Sequence, residues 1–238
     1  MFIALGILLM LHLAVAFGHL VLHLRLEALT QLVDLDLEAN LPTLFNVLLF
    51  FMASALFLFH GRIAGPKARR GWYVMAVVFF FLGIDEGSQI HEKFRLFTVR
   101  LLNHGSETGL DWTYYAWALP YILAMAVLAI VLLRWFLGLP FSLRMGLAIS
   151  GCIYVFGAVF MEMAAGELFH TLTYQDPSHF PWMPCDVYSG STNCWLYMQP
   201  RYIALYTLEE MGEMIGLILC IRVLMLELAH QGKQVMLT

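Results

Sequence analysis

Apolar runs and polar breaks alternate along this chain, and six of the runs are long. They cover residues 1–24, 41–60, 71–94, 113–137, 143–169 and 201–228. Each is close to the ~20 residues that a helix needs to cross the hydrocarbon core of a bilayer. Backbone amides in lipid must bond within their own segment, so each run is predicted to be helical. The pattern predicts an all-α integral membrane bundle of six transmembrane helices, one domain over residues 1–238. Pro42, Pro120 and Pro200 fall at or near the starts of runs, where a helix tolerates a missing N–H.

Composition agrees with this pattern. The chain is 61% hydrophobic and only 13% charged, with a mean hydropathy of +0.76; soluble domains carry about a quarter charged residues. The net charge of -4 is small. No basic patch interleaved with aromatics points to nucleic acid, so the expected partner is the lipid bilayer. "MFIALGILLMLHLAVAFGHLVLHL" lacks a basic leader and a small-residue cleavage site, and reads as the first span rather than a signal.

Lysine and arginine set the expected orientation. "HGRIAGPKARRG" carries Arg62, Lys67, Arg69 and Arg70; Arg134 and Arg144 flank the break between the fourth and fifth runs, and Arg222 and Lys233 lie towards the end. These positions share one side, which predicts both termini in the cytoplasm of a bacterial inner membrane. The opposite breaks, "RLEALTQLVDLDLEANLP", "RLFTVRLLNHGSETGLDW" and residues 170–200, are acidic or mixed. Cys185 and Cys194 lie nine residues apart in "PCDVYSGSTNCW", within the last of these. In an oxidising compartment they are placed to close a disulfide. That segment, rich in Trp, Tyr and Pro, would cap the polar centre from outside.

Charge inside the runs is the chemical signal. "FLGIDEGSQIHEKF" puts Asp85, Glu86, His91 and Glu92 in the outer half of the third run. Glu162, Glu167 and His170 close the fifth, and Glu209, Glu210 and Glu213 open the sixth. His12, His19 and His23 lie along the first. An ionised side chain at the bilayer centre costs about 2.5–3.5 kcal/mol on the insertion scale. Eight carboxylates at one depth are therefore expected to face one another, a cation, water or histidine, with some protonated.

At about 100° per residue, Glu209, Glu210 and Glu213 fall on one arc, and Asp85, Gln89 and Glu92 share a face. Glu167 and His170 form a Glu-x-x-His pair, and His12, His19 and His23 form a stripe. Carboxylates from facing helices with Glu-x-x-His pairs build di-metal sites in helical bundles. The expected site therefore holds one or more divalent metal ions, possible as di-iron, on Glu86, Glu162, Glu167, His170, Glu209 and Glu213, with Asp85, His91 or His19 in support. His91, Glu92, His19 and His23 also fit interfacial positions, His12 alone fits a helix-to-helix hydrogen bond, and His60 reads as a loop residue.

"NLPTLF", "GIDEGSQIHEKF" and "LEEMGEMIG" together resemble a group of bacterial polytopic membrane proteins of unassigned function. In those, an Asn-x-Pro-Thr run opens one span, Leu-Asp-Glu then His-Glu ends another, and Glu-Glu with a further Glu marks the last. Gly83-Ile84 departs from the usual Ser-Leu before Asp85. The resemblance implies a similar bundle with these acids in one site, and no activity. The leading expectation is a membrane-embedded metal-binding protein, an oxidoreductase or hydrolase acting on a lipid-soluble substrate. A proton or cation transporter and a non-catalytic subunit of a membrane complex are the alternatives.

Overall fold

The computed structural model describes residues 1–24, 26–90, 118–165, 168 and 199–236. Among these, every regular element is a helix. They are α1 (Phe2–Leu20), α2 (Glu27–Val33), α3 (Leu41–Ile63), α4 (Pro66–Ser88) and α5 (Ala118–Leu137), then α6 (Phe141–Ala165) and α7 (Pro200–Met236). Five of the helices, α1, α3, α4, α5 and α6, are long and apolar enough to cross a membrane. The chain is thus an all-helical protein built as an integral membrane protein is. The last helix, α7, has 37 residues and carries Glu209, Glu210 and Glu213 in its first half.

Three boundaries differ from the expected ones, each for a local reason. Helix α1 closes at Leu20, with the Val21 N–H on the Phe17 carbonyl, and His23 turns to φ 51°. The predicted stripe therefore keeps His12 and His19 and loses His23. Helix α4 stops at Ser88, because Gln89 adopts a left-handed conformation (φ 54°, ψ 41°) and returns its N–H to the Asp85 carbonyl. That turn ends the helical phase, so Gln89 does not continue the face of Asp85. Within a segment read as a loop, residues 27–33 form α2.

By its contacts the chain divides into two compact units. The first comprises Met1–Phe45 and Ile153–Ile215. Within it the Asn-x-Pro-Thr run is a helix start. Asn40 Oδ1 accepts from the Thr43 N–H (3.1 Å) and hydroxyl (3.1 Å), while Asn40 Nδ2 donates to the Asp34 carbonyl (2.6 Å). The side chain satisfies an N–H that the first turn of α3 leaves open. Pro42, in that same turn, has no N–H to lose.

The second unit comprises Asn46–Cys152 and Gly216–Thr238. Its core gathers Phe57, Trp72, Ala76, Leu139, Leu143, Cys220 and Leu224. Ser54 Oγ donates to the Ala76 carbonyl at 2.7 Å. His60 is a correction to the sequence reading: it lies in the last turn of α3, buried. Its ring stacks on Trp72 (centroids 4.6 Å apart, 15° between planes) and its Nε2 donates to the Leu224 carbonyl at 3.1 Å. The histidine therefore fastens α3 to α4 and to the second half of α7.

Replacing the cap should show directly in stability. Asn40→Ala is expected to lower unfolding stability by about 1 kcal/mol, read as a lower thermal midpoint in detergent. Ala39 holds φ 59°, so Ala39→Gly should raise that midpoint by relieving up to about 1 kcal/mol of left-handed strain.

Candidate functional site

In the first unit, α6 and α7 meet backbone to backbone. A Cβ on Gly157 would lie 2.6 Å from the Glu209 carbonyl oxygen and 2.9 Å from the Glu213 nitrogen. A Cβ on Gly212 would lie 3.1 Å from the Gly157 Cα. Only a residue without a side chain fits at such a crossing, which is how small residues bring helices together in lipid. Around this contact α6 becomes π-helical over Phe156–Met161 and returns to α-helix at Glu162. Such wide turns recur at functional sites.

The crossing gathers carboxylates. Glu209 and Glu213 stand one turn apart on α7, on either side of Gly212, and Glu162 directly follows the π segment of α6. Burial acts on Glu209 before any charge does, and the acidic side chains that act on it after that are Glu162, Glu213 and Asp36. Asp36 comes from the connection between α2 and α3, and both its carboxylate oxygens lie 3.5 Å from the Tyr202 hydroxyl that donates to them. Three separate stretches of chain thus bring acidic side chains to Glu209.

His12 has a different job. The Leu35 N–H donates to His12 Nδ1 at 3.4 Å, so the proton sits on Nε2. Nε2 donates to Thr207 Oγ1 (3.1 Å), and that hydroxyl donates onward to the Ile203 carbonyl (2.6 Å). Both ring nitrogens are engaged and the residue is fully buried, so His12 is a clasp between α1 and α7. Tyr206 packs edge-on against its ring at 5.6 Å, and Tyr202 packs edge-on against Tyr206 at 5.3 Å. His19 is buried too. Its Nε2 lies 2.7 Å from Thr30 Oγ1, whose own hydrogen goes to the Leu26 carbonyl at 3.0 Å. His19 therefore donates through Nε2; its buried Nδ1 makes no hydrogen bond of good geometry, and the Leu24 backbone also acts on the ring. An imidazole oriented through one nitrogen, with the other lacking a well-formed bond, is close to the state that metal ligation uses.

Asp85 and Glu86 belong to the second unit. Asp85, 5% exposed in the last turn of α4, accepts from the Tyr121 hydroxyl of α5 at 3.3 and 3.5 Å. Glu86 Oε1 accepts from Asn46 Nδ2 of α3 at 3.0 Å. His91, Glu92, Glu167, His170, Cys185 and Cys194 lie outside the described residues, as does most of the segment 170–200 expected to cap the site. Among the described residues, no three or more His, Cys, Asp and Glu side chains are arranged to hold a metal ion. Asp36, Tyr202, Asn46 and Tyr121 had not been singled out from the sequence. Asp36 sits in the alternating "DLDLEAN", and Asn46 is the one amide side chain in α3, which is a detectable signal.

A family model described as a domain of unknown function, DUF8692, matches residues 2–228. The chain belongs to this family. No curated protein and no solved structure matches it. The DUF8692 match takes in sequence from both units and runs into the second half of α7, so the carboxylate-bearing positions of α4, α6 and α7 all fall inside the family's region.

The α6–α7 crossing of this DUF8692 protein can be tested by adding one methyl group. Gly157→Ala should destabilise by about 1–3 kcal/mol, because the new carbon meets rigid backbone. Gly151→Ala, on the same helix with nothing within 4 Å of its Cβ position, should leave the thermal midpoint unchanged or slightly higher.

Proposed function

We propose that this protein is a membrane-embedded cation-binding protein whose α6–α7 pair holds one or more divalent metal ions. The reading rests on one observation: α6 and α7 meet backbone to backbone at Gly157 and Gly212, between Glu209 and Glu213 on α7 and just before Glu162 on α6. Glu162, Glu209 and Glu213, which do not by themselves surround one ion, are the proposed carboxylate ligands. Glu167 and His170, beyond the described part of α6, and the Nδ1 of His19 are the proposed additions. Carboxylates neutralise hard cations and imidazole supplies a neutral borderline ligand.

In this reading the chain spans the membrane six times, α7 being the sixth span, with both termini in the cytoplasm of a bacterial inner membrane. The site then faces the periplasmic side, and lipid-soluble substrates reach it through the bilayer. A bound metal ion would supply Lewis-acid or redox chemistry there. The chain's own part is to concentrate negative charge, hold the ligand helices at backbone distance, and keep the Tyr202 hydroxyl on Asp36. A proton pathway is favoured less, because the deepest histidine, His12, has both nitrogens committed to fixed hydrogen bonds.

Elemental analysis of the protein purified from detergent tests this. About one or more transition-metal ions per chain is expected, falling to background in Glu209→Ala plus Glu213→Ala. Wild-type protein with far less than one ion per chain after metal supplementation, and no change in the double variant, would sink the reading.

A further inference from the structure

The second unit gathers positive charge at one end. Helix α4 opens Pro66-Lys67-Ala68-Arg69-Arg70 behind Gly65, and Arg62 lies in the last turn of α3 just before it. Arg134 lies in the last turn of α5, and Arg144 in the first turn of α6. Packing brings these turns together. A Cβ on Gly71 would run into the Trp135 ring, which meets Trp72 edge-on at 5.0 Å. Leu139 and Leu143, on either side of the start of α6, share one core with Trp72, and Ala68 and Phe136 pack against it.

No acid answers these cations. Arg62, Lys67, Arg69, Arg70 and Arg134 are exposed, and none of them pairs with a carboxylate of the described residues. Arg69 and Arg144 donate instead to the Ala64 and Leu137 carbonyls, at 3.4 and 3.0 Å. Of the carboxylates described in this unit, Asp85 and Glu86 lie at the opposite end of α4. Glu227 accepts from Gln231 Nε2 at 2.8 Å. The opening of a helix carries partial positive charge, so cations there oppose the dipole. Neither α4 nor α6 has an acid in its first turn. An orientation signal could be met by loop residues alone. Here the cations stand within the helices, where an anion offsets both the side chains and the dipole.

We propose that this end of the second unit is a binding surface for anionic phospholipid headgroups, whose phosphates are held by Lys67, Arg69, Arg70 and Arg134. Clusters of basic residues beside a spanning helix are the pattern that recognises anionic lipid. Apolar side chains flank the charges: Ile63, Leu133, Leu137 and Phe141 are all exposed beside them. One lipid can therefore lay its phosphate on the cations and its chains on the helices. The surface lies outside the carboxylate ligands proposed on α6 and α7 and needs only that the helices stand in a membrane.

Thermal unfolding of the full chain in a neutral detergent tests the proposal, with dioctanoyl phosphatidylglycerol, dioctanoyl phosphatidylcholine and sodium phosphate as the titrants. Phosphatidylglycerol is expected to raise the midpoint in a saturable way, and the other two to leave it unchanged at equal concentration. Arg70→Gln should weaken the apparent affinity by about fivefold, and Lys67→Gln plus Arg70→Gln by about fivefold again. Glu209→Ala plus Glu213→Ala should keep the rise, so that a failure of the metal site reads separately. The proposal is overturned if phosphatidylcholine raises the midpoint as much, or if inorganic phosphate reproduces the rise. It is overturned too if a poly-glutamate peptide raises the midpoint where phosphatidylglycerol does not, which would give the surface to an acidic protein. An undiminished response in Arg70→Gln would sink it as well.

Discussion

The first unit depends on one contact, the backbone of Gly157 against the backbone of Gly212. In water, apolar burial would drive these helices together; in lipid the tails are as apolar as the side chains, and close packing has to do more of the work. Two facing glycines allow main-chain approach without any interposed carbon. The same contact puts Glu209 and Glu213 beside α6 at the turn that leads into Glu162. A polar centre at a bulkier crossing would be wider and wetter, with its charges further apart and less coupled.

The other polar groups divide into clasps and open valences. His12, His60 and Asn40 are clasps: each donor and acceptor described for them is spent on holding one segment to another. His19 Nδ1 and Asn46 Oδ1 are open valences, buried and without a well-formed hydrogen bond. Residue type alone does not separate the two classes. His12 and His19 lie on the same helix and are both buried, yet only the hydrogen bonds around each ring show which nitrogen remains available.

Much of the architecture was legible because lipid punishes irregular backbone. Apolar runs of spanning length could be little other than helices, and five of them are long and apolar enough in the structure. The carboxylates stood out for the same reason, against apolar neighbours. What could not be read was local termination and distant partnership. The seven residues of α2 are too few to show a helical period, and the left-handed turn at Gln89 has no glycine to announce it. The bond from His12 to Thr207 joins positions 195 residues apart. Asn46 stands out as the one amide of α3, but its role can be read only once its neighbour on the next helix, Glu86, is known.

The π segment of α6 has a consequence for how the family can vary. A π turn is in effect one residue inserted into an α-helix. Everything after it is rotated by about 100° relative to a regular helix of the same sequence. The face of α6 on which Glu162 lies is set by that extra residue, not by its count from the start of the helix alone. Losing a single residue from Phe156–Met161 would let the helix relax to its ordinary period and turn Glu162 to another face of α6, although no acidic residue had changed. The number of residues in this stretch sets the register of Glu162, just as the glycine at position 157 sets the closeness of the crossing.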